Sequence, residues 1–227
     1  MLSVIIPTMW RFKPFPRYLE QIIGQDCIGE VIIIDNDVNE RPKDFFSHPK
    51  IKLLEQEENI YVNPAWNLGA KTAQYSNLCF LSDDVIADGR IYFEADSFLN
   101  QHKDIGMLVT LIGHEPHNQP KVSCGEIKIS HQKELIDVGL HGAYSLFFMT
   151  KQSYIPIPEK LKVIHGDAYL HGKTVELKRK IYCMHDFFYY SPWNVTISSV
   201  CKDGKAVLIE NDLAAWDKMI EVGEISL

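Results

Sequence analysis

Three apolar runs, each ending in polar or acidic residues, constrain this chain more than any other feature. Val4-Ile5-Ile6-Pro7, Val31-Ile32-Ile33-Ile34 and Leu78-Cys79-Phe80-Leu81 contain no polar residue. A strand without polar alternation is buried on both faces and belongs to a sheet covered by helices on both sides. Between the first two runs, Arg17 to Gly24 carries Tyr18, Leu19, Ile22 and Ile23 at helical spacing. Pro14 and Pro16 delay that helix. Strand, helix and strand of this kind predict parallel pairing through right-handed crossovers.

The pattern continues through the first half. Ile51 to Leu54 reads as a third, shorter strand, and Asn63-Pro64 as a helix start with Asn63 as N-cap. That helix, over Pro64 to Gln74, places Asn63, Asn67 and Lys71 on one face. Ile91 to Asn100 reads as a helix and Ile105 to Leu111 as a strand. After Gly113 the sequence turns polar and less regular. Strand-like stretches follow at Val122–Ile129, Tyr144–Met149 and Ile181–Met184, with a helix starting near Gly166-Asp167 and a terminal amphipathic helix at Leu213–Val222.

The 227 residues fit one α/β domain, a mostly parallel central sheet flanked by helices with a mixed C-terminal half, and allow ~70–75% of the unfolded surface to be buried. No apolar run approaches the ~20 residues needed to span a bilayer, and Met1 to Pro7 leads straight into a strand. No transmembrane segment and a cytoplasmic location are therefore expected. Five scattered cysteines without a C-x-x-C pair suit reduced core thiols. A net charge of −7 argues against a nucleic-acid partner, and means that a polyanionic ligand would need a cation to offset repulsion.

The chemistry sits where the apolar runs stop. Phe80-Leu81-Ser82 runs into Asp83-Asp84, and Ile34 into Asp35-Asn36-Asp37. Paired carboxylates at a strand end are sited to hold a divalent cation in the crevice where open α/β sheets bind ligands. The plainer reading is a helix N-cap with a first-turn acid.

Taken together, four pieces of the first 85 residues resemble the nucleotide-sugar-binding half of family-2 glycosyltransferases with the GT-A fold. They are Val4-Ile5-Ile6-Pro7-Thr8, the Val31–Ile34 strand ending in Asp35-Asn36, Asn59 followed by Asn67-Leu68-Gly69, and Phe80-Leu81-Ser82-Asp83-Asp84. The resemblance implies a nucleotide-binding half (1–112) and an acceptor half (113–227). The partners it implies are a nucleotide-diphospho-sugar donor, UDP-sugar by default, and a glycan or other hydroxyl-bearing acceptor. The cofactor would be Mn²⁺ or Mg²⁺. Pro7, Thr8, Arg11, Asp35, Asn36, Asn63, Asn67 and Asp83 would line the donor, and Asp84 would ligate the metal. His185, just past the late strand, is placed like a histidine that some members use near the diphosphate. Asp167 matches the family's late acidic position and is the candidate base for transfer with inversion; the alternative is that it only caps its helix. Ser82, Asp37-Val38 and Trp66 depart from the common pattern, which bears on which nucleotide and sugar are taken.

Two other readings use the same residues. Ile32-Ile33-Ile34-Asp35-Asn36-Asp37-Val38 fits the hhhDxDxV pattern of haloacid-dehalogenase-like phosphatases, with Asp35 as nucleophile and Asp37 as general acid. A non-catalytic domain could also retain the fold. His114-Glu115-Pro116-His117 is no zinc motif, because its proline is incompatible with the required helix. His141-Gly142 opens a loop that could face the acceptor, and the aromatic run Phe187 to Trp193 suits core or a sugar platform.

Overall fold

The structure is a computed structural model that describes residues 1–102, 104–113, 126–130, 144–190 and 206–225, with backbone alone for 111–113, 126–130, 185–190 and 206. In chain order the elements are β1 (Leu2–Thr8), α1 (Phe15–Ile23), β2 (Ile28–Asp35), β3 (Ile51–Glu55), α2 (Val62–Thr72), β4 (Asn77–Leu81), β5 (Ile86–Ala87) and α3 (Arg90–Gln101). They continue with β6 (Ile105–Gly113), β7 (Glu126–Ser130), β8 (Leu146–Thr150), α4 (Gly166–Glu176), β9 (Lys180–Tyr190) and α5 (Ala206–Glu221).

The nine strands among the described residues join one sheet, in the order β3-β2-β1-β4-β8-β6-β9-β5, with β7 also on β9. The first four strands pair in parallel, as the continuous apolar runs require. The second half is mixed: β8 runs antiparallel to β4 and β6, β9 is parallel to β6, and β5 and β7 lie antiparallel on β9.

Successive residues of the central strands feed two cores. Val4, Ile6, Val31 and Ile33 pack with Leu19, Ile22, Ile91 and Leu99 from α1 and α3. Ile5, Ile32, Ile34 and Phe80 pack on the other face with Trp66 of α2, Leu170 of α4 and Trp216 of α5. Burial on both faces is why the middles of these strands are apolar, and the polar Ser3 and Glu30 near their starts bond each other at 2.6 Å; each fully buried Ile contributes roughly 1.5–3 kcal/mol. Gly69 lets α2 lie directly on β1, since a Cβ there would come within 2.3 Å of the Ile5 side chain.

Three expectations are corrected. The first helix begins at Phe15, because Pro14 is its N-cap and Pro16 falls in its first turn, where a missing N–H costs nothing. The second begins at Val62 after Tyr61, which turns through φ 68°. Asn63 is therefore inside the first turn rather than at the cap, and its side chain bonds elsewhere. Trp66 is core, edge-on to Phe80 and Phe147 at 5.8 and 5.2 Å.

Candidate active site

The C-terminal ends of β1, β2 and β4 lie side by side, and a hydrogen-bonded chain links their polar residues. Thr8 Oγ1, at the end of β1, donates to Asp83 Oδ2 at 2.6 Å. The same hydroxyl accepts the backbone N–H of Trp10 at 2.9 Å. Trp10 Nε1 in turn donates to Asp35 Oδ1 at 2.8 Å. Asp35 also receives the Asp37 N–H at 3.1 Å, and its Oδ2 lies 3.2 Å from Arg41 Nη1. Arg41 reaches on to Glu55 at the end of β3, at 2.6 Å. Trp10 holds a left-handed backbone, φ 60°, with its ring packed between Phe15 and Phe45.

Thr8, Asp35 and Asn36, expected at the donor, thus lie together at the strand ends beside Asp83 and Asp84. Pro7 is the penultimate residue of β1, opposite Ile34, and Arg11 lies half-buried in the loop that follows. Asn36 fastens two loops, its N–H donating to the Thr8 carbonyl at 2.9 Å and its Oδ1 accepting from Ile60 N–H at 3.2 Å. Asn67 lies further along α2, with its amide committed at both ends. Nδ2 donates to the Ile157 carbonyl, and Oδ1 accepts from Tyr154 Oη and Ile157 N–H, at 2.7 to 2.8 Å.

Asp83 and Asp84 fill a turn directly after β4, closed by Val85 N–H donating to the Ser82 carbonyl at 3.1 Å. Burial pushes the Asp83 carboxyl up to about 7, and the neighbouring charge of Asp84 adds to the rise against the opposing hydrogen bonds from Thr8 and Met9. Asp84 is 5% exposed. Two adjacent carboxylates of this kind fit a hard divalent cation in donor chemistry, and magnesium is commonly held by one or two carboxylates with substrate phosphates completing its shell. Among the described residues no three His, Cys, Asp or Glu side chains gather as a metal site. His185 belongs to β9 opposite Glu126. It opens the irregular stretch where pairing with β6 jumps from Met184 to Phe188, the kind of bulge that re-aims side chains near sites. Its own side chain lies outside the described residues, as do His114 to His117, His141-Gly142 and residues 191–193.

Asp167 reaches the same end of the sheet through the segment that enters β8. Ser82 N–H donates to the Ser145 carbonyl at 2.9 Å, and the adjoining Tyr144 N–H donates to Asp167 Oδ2 at 2.8 Å. Asp167 Oδ1 accepts from Ala168 N–H at 2.9 Å. Asp167 occupies the first turn of α4, whose N-cap is His165. Burial raises its carboxyl to about 6 against three lowering backbone hydrogen bonds.

The phosphatase reading fails on geometry. A nucleophilic Asp35 must be open to substrate, yet it is 0% exposed and enclosed by Trp10, Asp37 N–H and Arg41. Sequence reasoning also passed over Trp10, Arg41 and Asp212 (in α5). Only Trp10 carried a signal, as a tryptophan in the loop directly after a site strand.

The fold is the GT-A-like fold of nucleotide-sugar glycosyltransferases. Among solved structures, the chain is similar to S. aureus TarS 1–349 in complex with UDP-GlcNAc. That match has a TM-score of 0.63 at 17% identity and covers 87% of this chain and 60% of the other. It is also similar to GalNAc-T7 with UDP, GalNAc and Mn²⁺, with a TM-score of 0.65 at 14% identity, over 86% of this chain and 44% of the other. The chain thus spans about half the length of these structures. No protein-family model matches the sequence, and no curated protein matches it significantly. No helix among the described residues is long and apolar enough to cross a membrane.

Proposed function

We propose that this protein is a metal-dependent glycosyltransferase that moves a sugar from a nucleotide diphosphate, UDP by default, to an acceptor hydroxyl with inversion. The observation that carries this reading is the convergence of two unlike carboxylate sites on one segment: Tyr144-Ser145 joins Asp167 to the strand end that bears Asp83 and Asp84. The UDP-GlcNAc bound to TarS and the UDP and Mn²⁺ bound to GalNAc-T7 support the donor and metal classes.

In this reading residues 1–112 take the donor and 113–227 shape the acceptor side. Arg11 and the strand ends that carry Thr8, Asp35 and Asn36 line the nucleoside against Pro7, with the enclosed Asp35 carboxylate holding that edge through Trp10 and Arg41. Asp84 would hold the divalent ion, with Asp83 and His185 as further candidates; bound there, it would supply a Lewis acid for the leaving diphosphate, which an acidic protein cannot stabilise with its own charge. Asp167 takes the proton of the acceptor hydroxyl on a carboxylate oxygen. A base raised to about 6 is ionised at neutral pH yet stronger than an ordinary carboxylate. Asn63 braces the Asp167 loop.

The test is thermal unfolding with UDP, GDP or dTDP, with and without Mn²⁺. A nucleotide at a hundred times its Kd stabilises by about 2.7 kcal/mol, a rise of roughly 5–10 °C for a chain of this size. Asp84→Asn should abolish the Mn²⁺-dependent part. No shift with any of the three nucleotides overturns the reading; a shift without turnover of any nucleotide sugar leaves a binding domain.

A further inference from the structure

One buried carboxylate has no part in the mechanism above. Asp212, in α5, is 1% exposed. Its Oδ2 accepts from the backbone N–H groups of Lys162, Val163 and Ile164 at 3.0, 2.6 and 2.9 Å, and its Oδ1 from Lys162 at 2.9 Å. Three successive N–H groups aimed at one point form an anion-binding nest. Here the anion is delivered from about fifty residues away by an amphipathic helix whose buried face also carries Trp216 and Met219.

The nest ends where the Asp167 turn begins. His165 follows directly, in a left-handed conformation at φ 61°, which a non-glycine residue holds only where its surroundings enforce it. The enforcement comes from α5 again. The His165 ring stacks on Trp216, one turn beyond Asp212, with centroids 4.7 Å apart and planes 9° from parallel. Burial keeps the imidazole below its usual range despite the nearby charges of Asp212 and Asp217, so the stack is between neutral rings.

From the opposite side α2 holds the carbonyls. Asn63 N–H donates to the Lys162 carbonyl at 3.1 Å, and Asn63 Nδ2 to the Ile164 carbonyl at 3.1 Å. Asn63 Oδ1 presses on Gly166, where a Cβ would lie 2.0 Å from it. Residues 162–164 are thus gripped by their N–H groups from α5 and, at 162 and 164, by their carbonyls from α2. Gly166 then leads into Asp167.

We propose that Asp212, together with Trp216, is a positioning group for Asp167: the C-terminal helix fixes the loop that aims the base. This rests on the reading of Asp167 as that base. A merely structural role for Asp212 would lower stability and leave the surviving fold's Asp167 unchanged. A positioning role changes Asp167 itself, because a loosened loop admits water to a carboxylate now raised by burial.

The experiment is a carbon-detected NMR titration of Asp167 in the full-length chain, its signal assigned by its loss in Asp167→Asn. Asp212→Asn places an NH₂ or a neutral carbonyl against the three N–H groups, and its Asp167 midpoint should fall by at least about half a unit toward the ordinary value near 4. His165→Gly keeps the backbone turn while removing the stack, and should give a smaller fall in a chain that folds even if Asp212→Asn does not. Asp212→Glu should restore most of the wild-type midpoint. Midpoints unchanged or raised in folded Asp212→Asn, or in His165→Gly if the first does not fold, overturn the proposal. Where nucleotide sugars are turned over, kcat should drop about 10–100-fold with the donor KM within twofold. Shifted midpoints in a chain that turns over no nucleotide sugar would uphold the positioning and sink the transferase reading.

Discussion

The two carboxylate sites are both raised by burial, and they differ in what can relieve them. Asp83 stands beside Asp84, so part of its rise is repulsion between like charges. Among the described residues, Asp167 is raised by burial alone and is met by backbone N–H groups from Tyr144, Ala168 and itself. A divalent cation relieves the first site, because it answers the repulsion directly. Only a proton relieves the second. In the proposed function one chain would hold a cation site and a proton site at the same sheet end, separated by whether a second carboxylate stands beside the first.

The largest expected effect tests that division at the proton site. Asp167→Asn keeps a carbonyl oxygen for one of the two backbone N–H partners, sets an NH₂ against the other, and cannot take a proton. Turnover should fall about 10³-fold, while the nucleotide and Mn²⁺ melting shift stays as in wild type. Single-turnover rates alongside melting curves check both halves. Loss of the melting shift as well would mean that the two sites are not separable.

How much of this was legible in the sequence follows from which contacts are local. The parallel half could be read because burial on both faces leaves an unbroken apolar run in each of β1, β2 and β4. The pairing of Asp83 with Asp84 was visible because they are adjacent, and Asp167 because it precedes a helix. The last strand was read as Ile181–Met184 but runs from Lys180 to Tyr190. His185-Asp186 interrupts the apolar pattern where the pairing is irregular, so periodicity stopped there. Asn63 was read as a cap because Asn-Pro is a local signal, whereas its actual partner is 101 residues away. The nest on Asp212 left no trace for the same reason: its donors are backbone groups, which any sequence supplies.

A smaller effect is expected from crowding the proton site without touching its charge. Gly166→Ala would press a methyl group into the Asn63 amide, whose Nδ2 is tied to the Ile164 carbonyl. The first turn of α4 must then shift, at a cost of about 1–3 kcal/mol. Denaturant unfolding should show that loss at every pH, since no titrating group is removed. A loss confined to acid or alkaline conditions would show that the substitution acted through Asp167's ionisation instead.

The smallest effect belongs to the cation site and has the opposite sign. A carboxyl raised to about 7 binds its proton more tightly folded than unfolded. Its stabilising contribution is therefore complete below the unfolded value near 4 and is lost as pH rises through 7. Asp83→Asn removes that loss while keeping an acceptor for Thr8 Oγ1. A rise of about three pK units would correspond to about 4 kcal/mol, but solvent reaching the half-buried Asp83 screens most of it. The variant should therefore be more stable than wild type by about 1 kcal/mol at pH 8, and equal to it below about pH 4, where both side chains are neutral. Added Mn²⁺ should narrow the difference at pH 8 by stabilising the wild type more. If the variant is instead less stable at pH 8, the like-charge strain assigned to the pair is absent, and the two sites differ only in their hydrogen bonds.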